Sequence, residues 1–302
     1  MNSAELSPLA LAATCAAFGL CVGSFLNVAI YRFPKQHLTV WRPARSFCPQ
    51  CRRQLEWSEN LPVLSWVAQG GRCRGCRGRI SIRYPLVELL TAAAWAGLGW
   101  LTPGEQWPLL LVRLLVTSAL IVVTFVDFDC FEIPDEISIG GMLLSPVISW
   151  AVPELHRDTW LAHWVAEGGE PGRTAALVAS LGGIAVGAGV LLAIGWAGER
   201  ALGKEAMGLG DVKLLGAAGG FVGPGGALVA LVLASLVGAL VGSANIARFY
   251  CLLRARVRAR NAPTSRARSL SIAKTCGQML PFGPYLALGT LAVLLYWNHL
   301  VS

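Results

Sequence analysis

Four stretches of this 302-residue chain carry no charge over more residues than a helix needs to cross a lipid bilayer. They cover residues 6–31, 174–198, 214–247 and 275–298, whereas about 20 predominantly apolar residues suffice for one crossing. Of all residues, 55% are hydrophobic and only 14% are charged. This composition is typical of a polytopic membrane protein, because a water-soluble core needs no such uninterrupted runs.

The pattern predicts an all-α polytopic membrane protein with about eight transmembrane helices and a small cytoplasmic domain between the first two. The predicted spans are 9–30, 85–101, 107–126, 137–152, 174–198, 211–222, 227–247 and 279–297. The predicted domains are the first transmembrane helix (1–31), a cytoplasmic zinc-binding domain (32–84) and a membrane-embedded protease domain (85–302).

The sixth predicted span is short, because the Gly-Pro-Gly-Gly sequence at 223–226 interrupts it. Even with its flanking residues it covers roughly 20 Å, whereas the hydrocarbon core is about 30 Å thick. The segment either crosses where the bilayer is thinned or is re-entrant. A crossing is favoured, because it keeps the basic stretch 248–274 on the cytoplasmic side.

Positive charge is concentrated in two stretches that flank predicted spans. Residues 32–84 contain eleven Lys and Arg against two Glu, and residues 248–274 contain eight Lys and Arg and no acid. Short basic loops beside spans mark the cytoplasmic face. Nucleic-acid binding is the rival interpretation, but neither stretch contains a recognition module, so the expected partner is the bilayer and not a nucleic acid.

Two Cys-x2-Cys pairs within the first basic stretch, Cys48 with Cys51 and Cys73 with Cys76, have the spacing of two knuckles that close on one tetrahedral Zn²⁺. Disulfides are the alternative, but thiols stay reduced in the cytoplasm. Four protein ligands leave no open coordination position, so the spacing predicts a structural Zn²⁺ site and not a catalytic one.

Asp127 and Asp211 each stand where an apolar run meets charged residues. A carboxylate at a membrane edge is costly, so it indicates function. Alternation of the spans puts both at the cytoplasmic face, where two carboxylates can act as the acid and base of an aspartyl protease. The glycines at 208 and 210 are expected to leave room for an extended substrate backbone beside Asp211.

Several neighbouring charges have open roles. Asp135 follows Pro134 before a predicted helix and is interpreted as an N-cap. Glu88 could orient a substrate amine or pair with Arg83. Lys213 could keep Asp211 ionised or reach the interface. Further candidates near Asp127, which are either solvated or helix-capping, are Asp129, Glu132 and Glu136.

Glycine spacings suggest where helices cross closely. Gly-x3-Gly pairs occur at 183 and 187, at 216 and 220, and at 238 and 242. Small residues at this spacing let two helix backbones approach, although ordinary packing of small residues is the commoner explanation.

Two other protein classes compete with a protease. A proton-coupled carrier also uses intramembrane carboxylates and broken helices, but it places the carboxylates near the bilayer midplane and not at span ends. A zinc-stabilised membrane scaffold without chemistry would leave the Gly-Leu-Gly-Asp sequence at 208–211 unexplained.

Six motifs, in order along most of the chain, resemble those of the type IV prepilin peptidases, which are GxGD-type intramembrane aspartyl proteases. The motifs are Gly23-Ser24-Phe25-Leu26-Asn27-Val28, the cysteine quartet, Arg83-Tyr84-Pro85-Leu86-Val87-Glu88, Val126-Asp127-Phe128-Asp129 with Ile133-Pro134-Asp135, Met207-Gly208-Leu209-Gly210-Asp211-Val212-Lys213-Leu214, and Pro281-Phe282-Gly283-Pro284.

The resemblance implies a bifunctional enzyme of the bacterial inner membrane that serves type IV pili or type II secretion. It would cleave the basic leader from prepilins or pseudopilins and then N-methylate the new terminus with S-adenosylmethionine. Asp127 and Asp211 would be the catalytic aspartates, and Cys48, Cys51, Cys73 and Cys76 the zinc ligands. Neither cytoplasmic stretch has a glycine-rich signature for S-adenosylmethionine, so the methyltransferase expectation rests on the resemblance.

Overall fold

In the computed structural model, the described residues are 7–35, 39–43, 45–102, 106–167, 169–203, 207–259 and 280–300. Within these ranges the chain is helical, and extended backbone pairs only in three isolated bridges between residues 39 and 79. Single 3₁₀ turns lie at Trp57–Asn60 and Pro153–His156. The α-helices are α1 (Pro8–Arg32), α2 (Leu64–Ala68), α3 (Arg83–Leu101), α4 (Trp107–Cys130), α5 (Asp135–Ala151), α6 (Trp160–Val165), α7 (Arg173–Leu202), α8 (Leu209–Ala259) and α9 (Gly283–Leu300).

The long helices coincide with the predicted spans. α1, α4, α7 and α8 are long and apolar enough to cross a membrane over Pro8–Arg32, Trp107–Cys130, Arg173–Ala201 and Leu209–Ala255. Large apolar side chains face outward, among them Phe18, Leu143 and Leu240, which are 64%, 70% and 71% exposed. Such a surface is unfavourable in water and suits lipid. The expected all-helical chain with membrane-length helices is confirmed. The predicted start at 279 and most of the stretch 248–274 lie outside the described residues.

α4 is the central helix of the bundle. It packs against α1, α3, α5 and α9, and more of its apolar length is buried than that of the other membrane-length helices. Its buried side chains, such as Val116, Leu120 and Val123, join the main core of α7, α8 and α9. On another face, Val122 and Val126 pack with α1 and α3. α4 therefore fixes the position of Asp127, which lies in its last turn.

α1 and α3 cross closely through glycine. A Cβ placed on Gly23 would lie 2.7 Å from the Cα of Glu88, and one on Gly19 would lie 2.9 Å from the Cα of Ala92. Beside this contact the Asn27 amide donates a 3.0 Å hydrogen bond to the Tyr84 carbonyl. Dispersion and hydrogen bonds drive helix association in lipid, where the hydrophobic effect is absent. The Gly-Ser-Phe-Leu-Asn motif therefore docks α1 on α3.

α7 and the start of α8 also cross at glycines. A Cβ on Gly183 would overlap the carbonyl of Gly219, and one on Gly187 would overlap the carbonyl of Leu215. Gly220 likewise has no room for a Cβ beside Ser145. Two of the three glycine spacings therefore mark close helix crossings. At Gly238 and Gly242 a Cβ would make only ordinary contacts, at 3.4 and 3.8 Å.

α8 is interrupted by a kink at Gly223, whose φ of 73° and ψ of 176° are not helical. This backbone region is essentially restricted to glycine, and Pro224 follows it. The turn packs on the segment that connects α5 to α7, because a Cβ on Gly223 would lie 2.8 Å from the Thr159 side chain. α8 is therefore two helical arms, 209–222 and 224–259, as the interruption in the sequence predicts.

The α7–α8 crossing yields a test of this packing. Gly183→Ala inserts a methyl group against a backbone carbonyl and is expected to destabilise the protein by about 1–3 kcal/mol. Gly189→Ala, in the same helix, meets nothing within 4 Å and is expected to be neutral or stabilising by about 0.5–1 kcal/mol. Thermal unfolding of both variants in detergent measures the difference. Equal midpoints would contradict the crossing.

Candidate active site and cysteine cluster

Asp127 is buried, with 5% of its surface exposed. α4 ends three residues later because Phe131 adopts a left-handed φ of 57°, and its amide donates to the Asp127 carbonyl at 3.0 Å. The Asp127 carboxylate accepts a 2.9 Å hydrogen bond from the amide of Gly283. A Cβ at position 283 would lie 2.5 Å from the Asp127 Oδ2, so only glycine leaves this hydrogen bond intact.

Asp211 lies in the first turn of α8 and is half-buried. Both glycines beside it line the cavity described below, and at Gly208 the nearest obstacle to a Cβ is the Asp211 carboxylate at 3.7 Å. Gly210 instead faces Ile133, where a Cβ would lie 3.3 Å from the Ile133 Cβ. The expected room for a substrate backbone therefore exists at Gly208, whereas Gly210 lets α8 begin against the turn that follows α4.

Asp127 and Asp211 line the same cavity, which has a volume of about 750 Å³. Three chain segments complete the wall: Phe33 and Pro34 after α1, residues 131–136 from the end of α4 into the first turn of α5, and residues 280–282 before α9. The structure thus brings together the two predicted site residues, which are far apart in the sequence.

The remaining acids near Asp127 fall into two groups. Asp129 accepts a hydrogen bond from Arg83 at 2.5 Å, and Asp135 accepts one from Lys213 at 2.7 Å. Asp135 and Lys213 line the cavity as a pair. Glu132 and Glu136 also line it, and no ion pair joins either of them to another described residue. The N-cap interpretation of Asp135 is wrong, because Pro134 occupies that position and Asp135 is the first helical residue.

Glu88 and Lys213 also differ from their expected pairings. Arg83 binds Asp129 and not Glu88. Glu88 is buried in α3, 7% exposed, and its Oε2 accepts a 2.7 Å hydrogen bond from the amide of Val63. Lys213 binds Asp135, so it neither pairs with Asp211 nor extends freely to the interface. Glu88 therefore docks the segment before α2 onto α3.

The two Cys-x2-Cys pairs adopt the same backbone turn. The amide of Cys48 donates to the Arg53 carbonyl, and the amide of Cys73 donates to the Gly78 carbonyl, both at 2.9 Å. In each turn the residue after the second cysteine, Arg52 or Arg77, has a φ of 58°. The repeat forms two matching knuckles that face each other.

The cysteine set fits a metal ion. The Sγ atoms of Cys48, Cys51, Cys73 and Cys76 all lie within 4.8 Å of one another, and all four are free thiols. Backbone amides of Cys76 and Gly75 lower the pKa of the Cys73 thiol to about 6. Because metals bind the thiolate and not the thiol, the cluster is preorganised for a soft divalent ion.

A buried ion pair supports the first knuckle. The Glu59 carboxylate accepts a 2.5 Å hydrogen bond from Arg53 and a 3.0 Å hydrogen bond from the Glu56 amide. Burial alone would raise the pKa of Glu59, but these two hydrogen bonds outweigh it and hold the pKa below its usual value. Glu59 therefore fastens the 3₁₀ turn at Trp57–Asn60 to the metal-binding loop.

Gly283 is the site residue that reasoning from the sequence did not assign. Its amide and its missing side chain both shape the environment of Asp127. The sequence feature that could have indicated it is a glycine between Phe282 and Pro284, at the start of an apolar helix. Nothing local in that motif indicates that it meets a residue 156 positions earlier in the chain.

Comparison with protein families divides the chain into two matching regions. Residues 17–102 match the bacterial peptidase A24 N-terminal domain, and residues 114–243 match the type IV leader peptidase family. The first region contains the four cysteines, and the second contains Asp127 and Asp211. No solved structure matches the chain.

Similar proteins cover nearly the whole chain. A protein of Aeromonas salmonicida (strain A449) named prepilin leader peptidase/N-methyltransferase is 34% identical over 311 residues, which span 94% of this chain and 90% of that protein. A protein of the same name from Myxococcus xanthus is 37% identical over 229 residues, 74% of this chain and 60% of that protein. The Escherichia coli type 4 prepilin-like proteins leader peptide-processing enzyme is 30% identical over 305 residues, 95% of this chain and 94% of that protein. The resemblance drawn from the motifs is confirmed, and the chain belongs to the type IV leader peptidase family.

Proposed function

We propose that this protein is a membrane aspartyl protease that removes the basic leader of type IV prepilins or pseudopilins and then methylates the new N-terminus with S-adenosylmethionine. The observation that carries the protease assignment is the single cavity lined by Asp127 and Asp211. The names of the similar proteins support both activities.

In the proposed peptide hydrolysis, one carboxylate takes a proton from the attacking water and the other, still protonated, donates a hydrogen bond to the scissile carbonyl. Two carboxyl groups that line one cavity resist double ionisation, so the pair is proposed to share one proton. The Gly283 amide holds the Asp127 carboxyl in a fixed orientation. The open side of Gly208 admits the substrate backbone.

For the second activity, S-adenosylmethionine supplies an activated methyl group to the new N-terminal amine. The nitrogen lone pair forms the new C–N bond, the electrons of the S–CH3 bond remain on sulfur, and the nitrogen loses a proton. The protein must hold the amine deprotonated and close to the methyl donor.

We infer that the helices make eight crossings of the inner membrane and that the protease site faces the cytoplasm. A support is the position of the connecting segments along α4. Residues 106, 158 and 159 line one cavity together with Arg113, near one end of α4. Residues 33, 132 and 211 line another together with Asp127, at the opposite end. Arg113 and Asp127 are separated by about 20 Å of helix.

The chain is proposed to consist of three domains: an anchoring helix (1–31), a cytoplasmic metal-binding domain (32–84) and the protease domain (85–302).

The metal proposed for the cysteine cluster is Zn²⁺, in a structural role. Four thiolates satisfy its tetrahedral preference and leave no position for water. The knuckle turns place two ligands inside the domain and two at its surface. Bound metal would therefore hold together a domain that, among its described residues, has only one α-helix, α2.

The leader is proposed to dock through its basic residues. Asp129 is paired with Arg83 outside the cavity, and Asp135 lines the cavity together with its own partner, Lys213. Glu132 and Glu136 are the acids of this segment that face the cavity without an ion pair to a described residue. Of the acids at 127–136, Glu132 and Glu136 are therefore the two proposed to bind the basic leader. Charge complementarity at such a site affects recognition more than chemistry.

Asp127→Asn and Asp211→Asn are each expected to lower the rate of leader cleavage by at least about 100-fold, because each removes one partner of the acid–base pair. The measurement is cleavage of a purified prepilin in detergent. Asp129→Asn, which removes the same charge two residues from Asp127 but outside the cavity, is expected to retain most activity. Retained cleavage in either cavity variant would overturn the assignment.

The double variant Glu132→Gln/Glu136→Gln is expected to lose more activity on a basic leader than on one whose Lys and Arg are replaced by Gln. The ratio of kcat/KM for the two leaders measures this preference. Asp129→Asn, which removes a paired acid outside the cavity, is the control and should keep the ratio. Equal losses on both leaders would show that the two glutamates do not recognise charge.

Cys48→Ser and Cys73→Ser are each expected to lose bound zinc and to make the segment between α1 and α3 sensitive to limited proteolysis, because metal binding contributes folding free energy. Elemental analysis should give about one zinc per chain in the unsubstituted protein. Cys21→Ser, in α1 and away from the cluster, should bind zinc normally. Unchanged zinc content in the cluster variants would refute the site.

A further inference from the structure

A second cavity lies between the cysteine domain and the ends of α1 and α3. Its volume is about 340 Å³, and all the residues that line it fall between Ser24 and Glu88. It therefore lies wholly within the region that matches the A24 N-terminal domain and shares no residue with the Asp127 and Asp211 cavity. The proposed protease chemistry makes no use of it.

Aromatic rings form much of the wall of this second cavity. Tyr31 at the end of α1 and Phe47 before the first knuckle are in edge-to-face contact, with ring centroids 6.2 Å apart. Trp66 of α2 and Tyr84 of α3 contribute two further rings. The Trp66 indole is held in place by a 3.2 Å hydrogen bond to the Ile80 carbonyl. Flat aromatic surfaces suit a heteroaromatic base and also attract cations.

The same wall contains buried charges of both signs. Glu88 is 7% exposed and Arg32 is 3% exposed. The Arg32 guanidinium donates to the carbonyls of Thr39, Val40 and Arg45 but forms no ion pair with any residue in the described ranges. Glu88 binds only neutral donors, the Val63 amide and the Ser24 hydroxyl. A buried charge without a counter-charge is costly, so a ligand with both an anionic and a cationic group would complement the site.

We propose that this cavity binds S-adenosylmethionine, an inference that rests on the methyl-transfer half of the proposed function. The ligand has an adenine ring, a cationic sulfonium and ammonium, and a carboxylate. The rings suit the adenine, Glu88 suits the cationic groups and Arg32 suits the carboxylate. The volume falls in the range of roughly 300–1,000 Å³ that is usual for small-molecule sites.

The relative position of the two cavities supports sequential reactions. Tyr31 and Arg32 line the second cavity, and the next two residues, Phe33 and Pro34, line the protease cavity. The end of α1 therefore separates the two sites by a few residues. A substrate terminus released beside Asp127 has only a short distance to travel to a methyl donor beside Arg32.

The cysteine cluster forms part of the wall of this second cavity. Cys48 and Cys73, the two buried members of the cluster, contribute to the wall. The same knuckles carry Phe47 and Gly78 into it. A metal that fixes the knuckles would therefore fix one side of the binding site without touching the ligand.

The test is equilibrium binding of radiolabelled S-adenosylmethionine to the purified, zinc-loaded full chain. Glu88→Gln keeps an acceptor for the Val63 amide but removes the charge, and it is expected to weaken binding about tenfold or more. Glu56→Gln removes an exposed charge from the same domain outside the cavity and should bind like the unsubstituted protein. Zinc content and the thermal midpoint of each variant verify that it is folded.

The outcomes separate this inference from the proposed function. Binding by the unsubstituted protein, weakened by Glu88→Gln alone, supports the cavity. Binding that both variants retain overturns the cavity but leaves methyl transfer standing. No binding by the unsubstituted protein overturns both, while the leader-cleavage assay still judges the protease independently.

Ultraviolet cross-linking of the labelled ligand to the unsubstituted protein gives a second readout that needs no variant. Peptide mapping by mass spectrometry is expected to locate the label within residues 24–88. Label in residues 127–136 or 207–213 would overturn the assignment, because those segments belong to the protease cavity.

Discussion

A carboxylate in a membrane protein must be surrounded by protein or water, because contact with lipid is prohibitively costly. This constraint organises the present structure. Asp127 is carried by the most buried of the membrane-length helices and accepts a hydrogen bond from the Gly283 amide. Asp211 begins the helix that crosses α7 at glycine contacts. The close helix crossings thus bring the ends of α4, α8 and α9 together around one cavity, in which both carboxyl groups avoid the lipid.

Much of the fold could be predicted from local pattern. Uncharged runs locate the helices, because each span must satisfy its own backbone hydrogen bonds in lipid. The interruption at Gly223 is explained by a φ that only glycine readily adopts. The cysteine cluster was also predictable, since its four thiols are held by short turns whose Cys-x2-Cys spacing is typical of a metal site. In these cases the sequence signal and the physical cause lie within a few residues of each other.

The pairings between distant side chains could not be predicted in this way. Lys213 binds Asp135, and Arg83 binds Asp129, across 78 and 46 positions of sequence. Which acid pairs with which base depends on how the helices are rotated and offset, and that is decided by glycine contacts on other faces. The role of Gly283 could not be predicted for the same reason, because its amide binds a residue that is distant in the sequence.

We propose that Asp127 and Asp211 act as one catalytic unit. The most direct test is the cleavage rate of Asp127→Asn/Asp211→Asn compared with that of each single variant. Residues that act as a unit are strongly non-additive, so the double variant should cleave as slowly as the slower single variant and no slower. A double variant whose loss is the product of the two single losses would show that the aspartates contribute independently, and it would contradict the account.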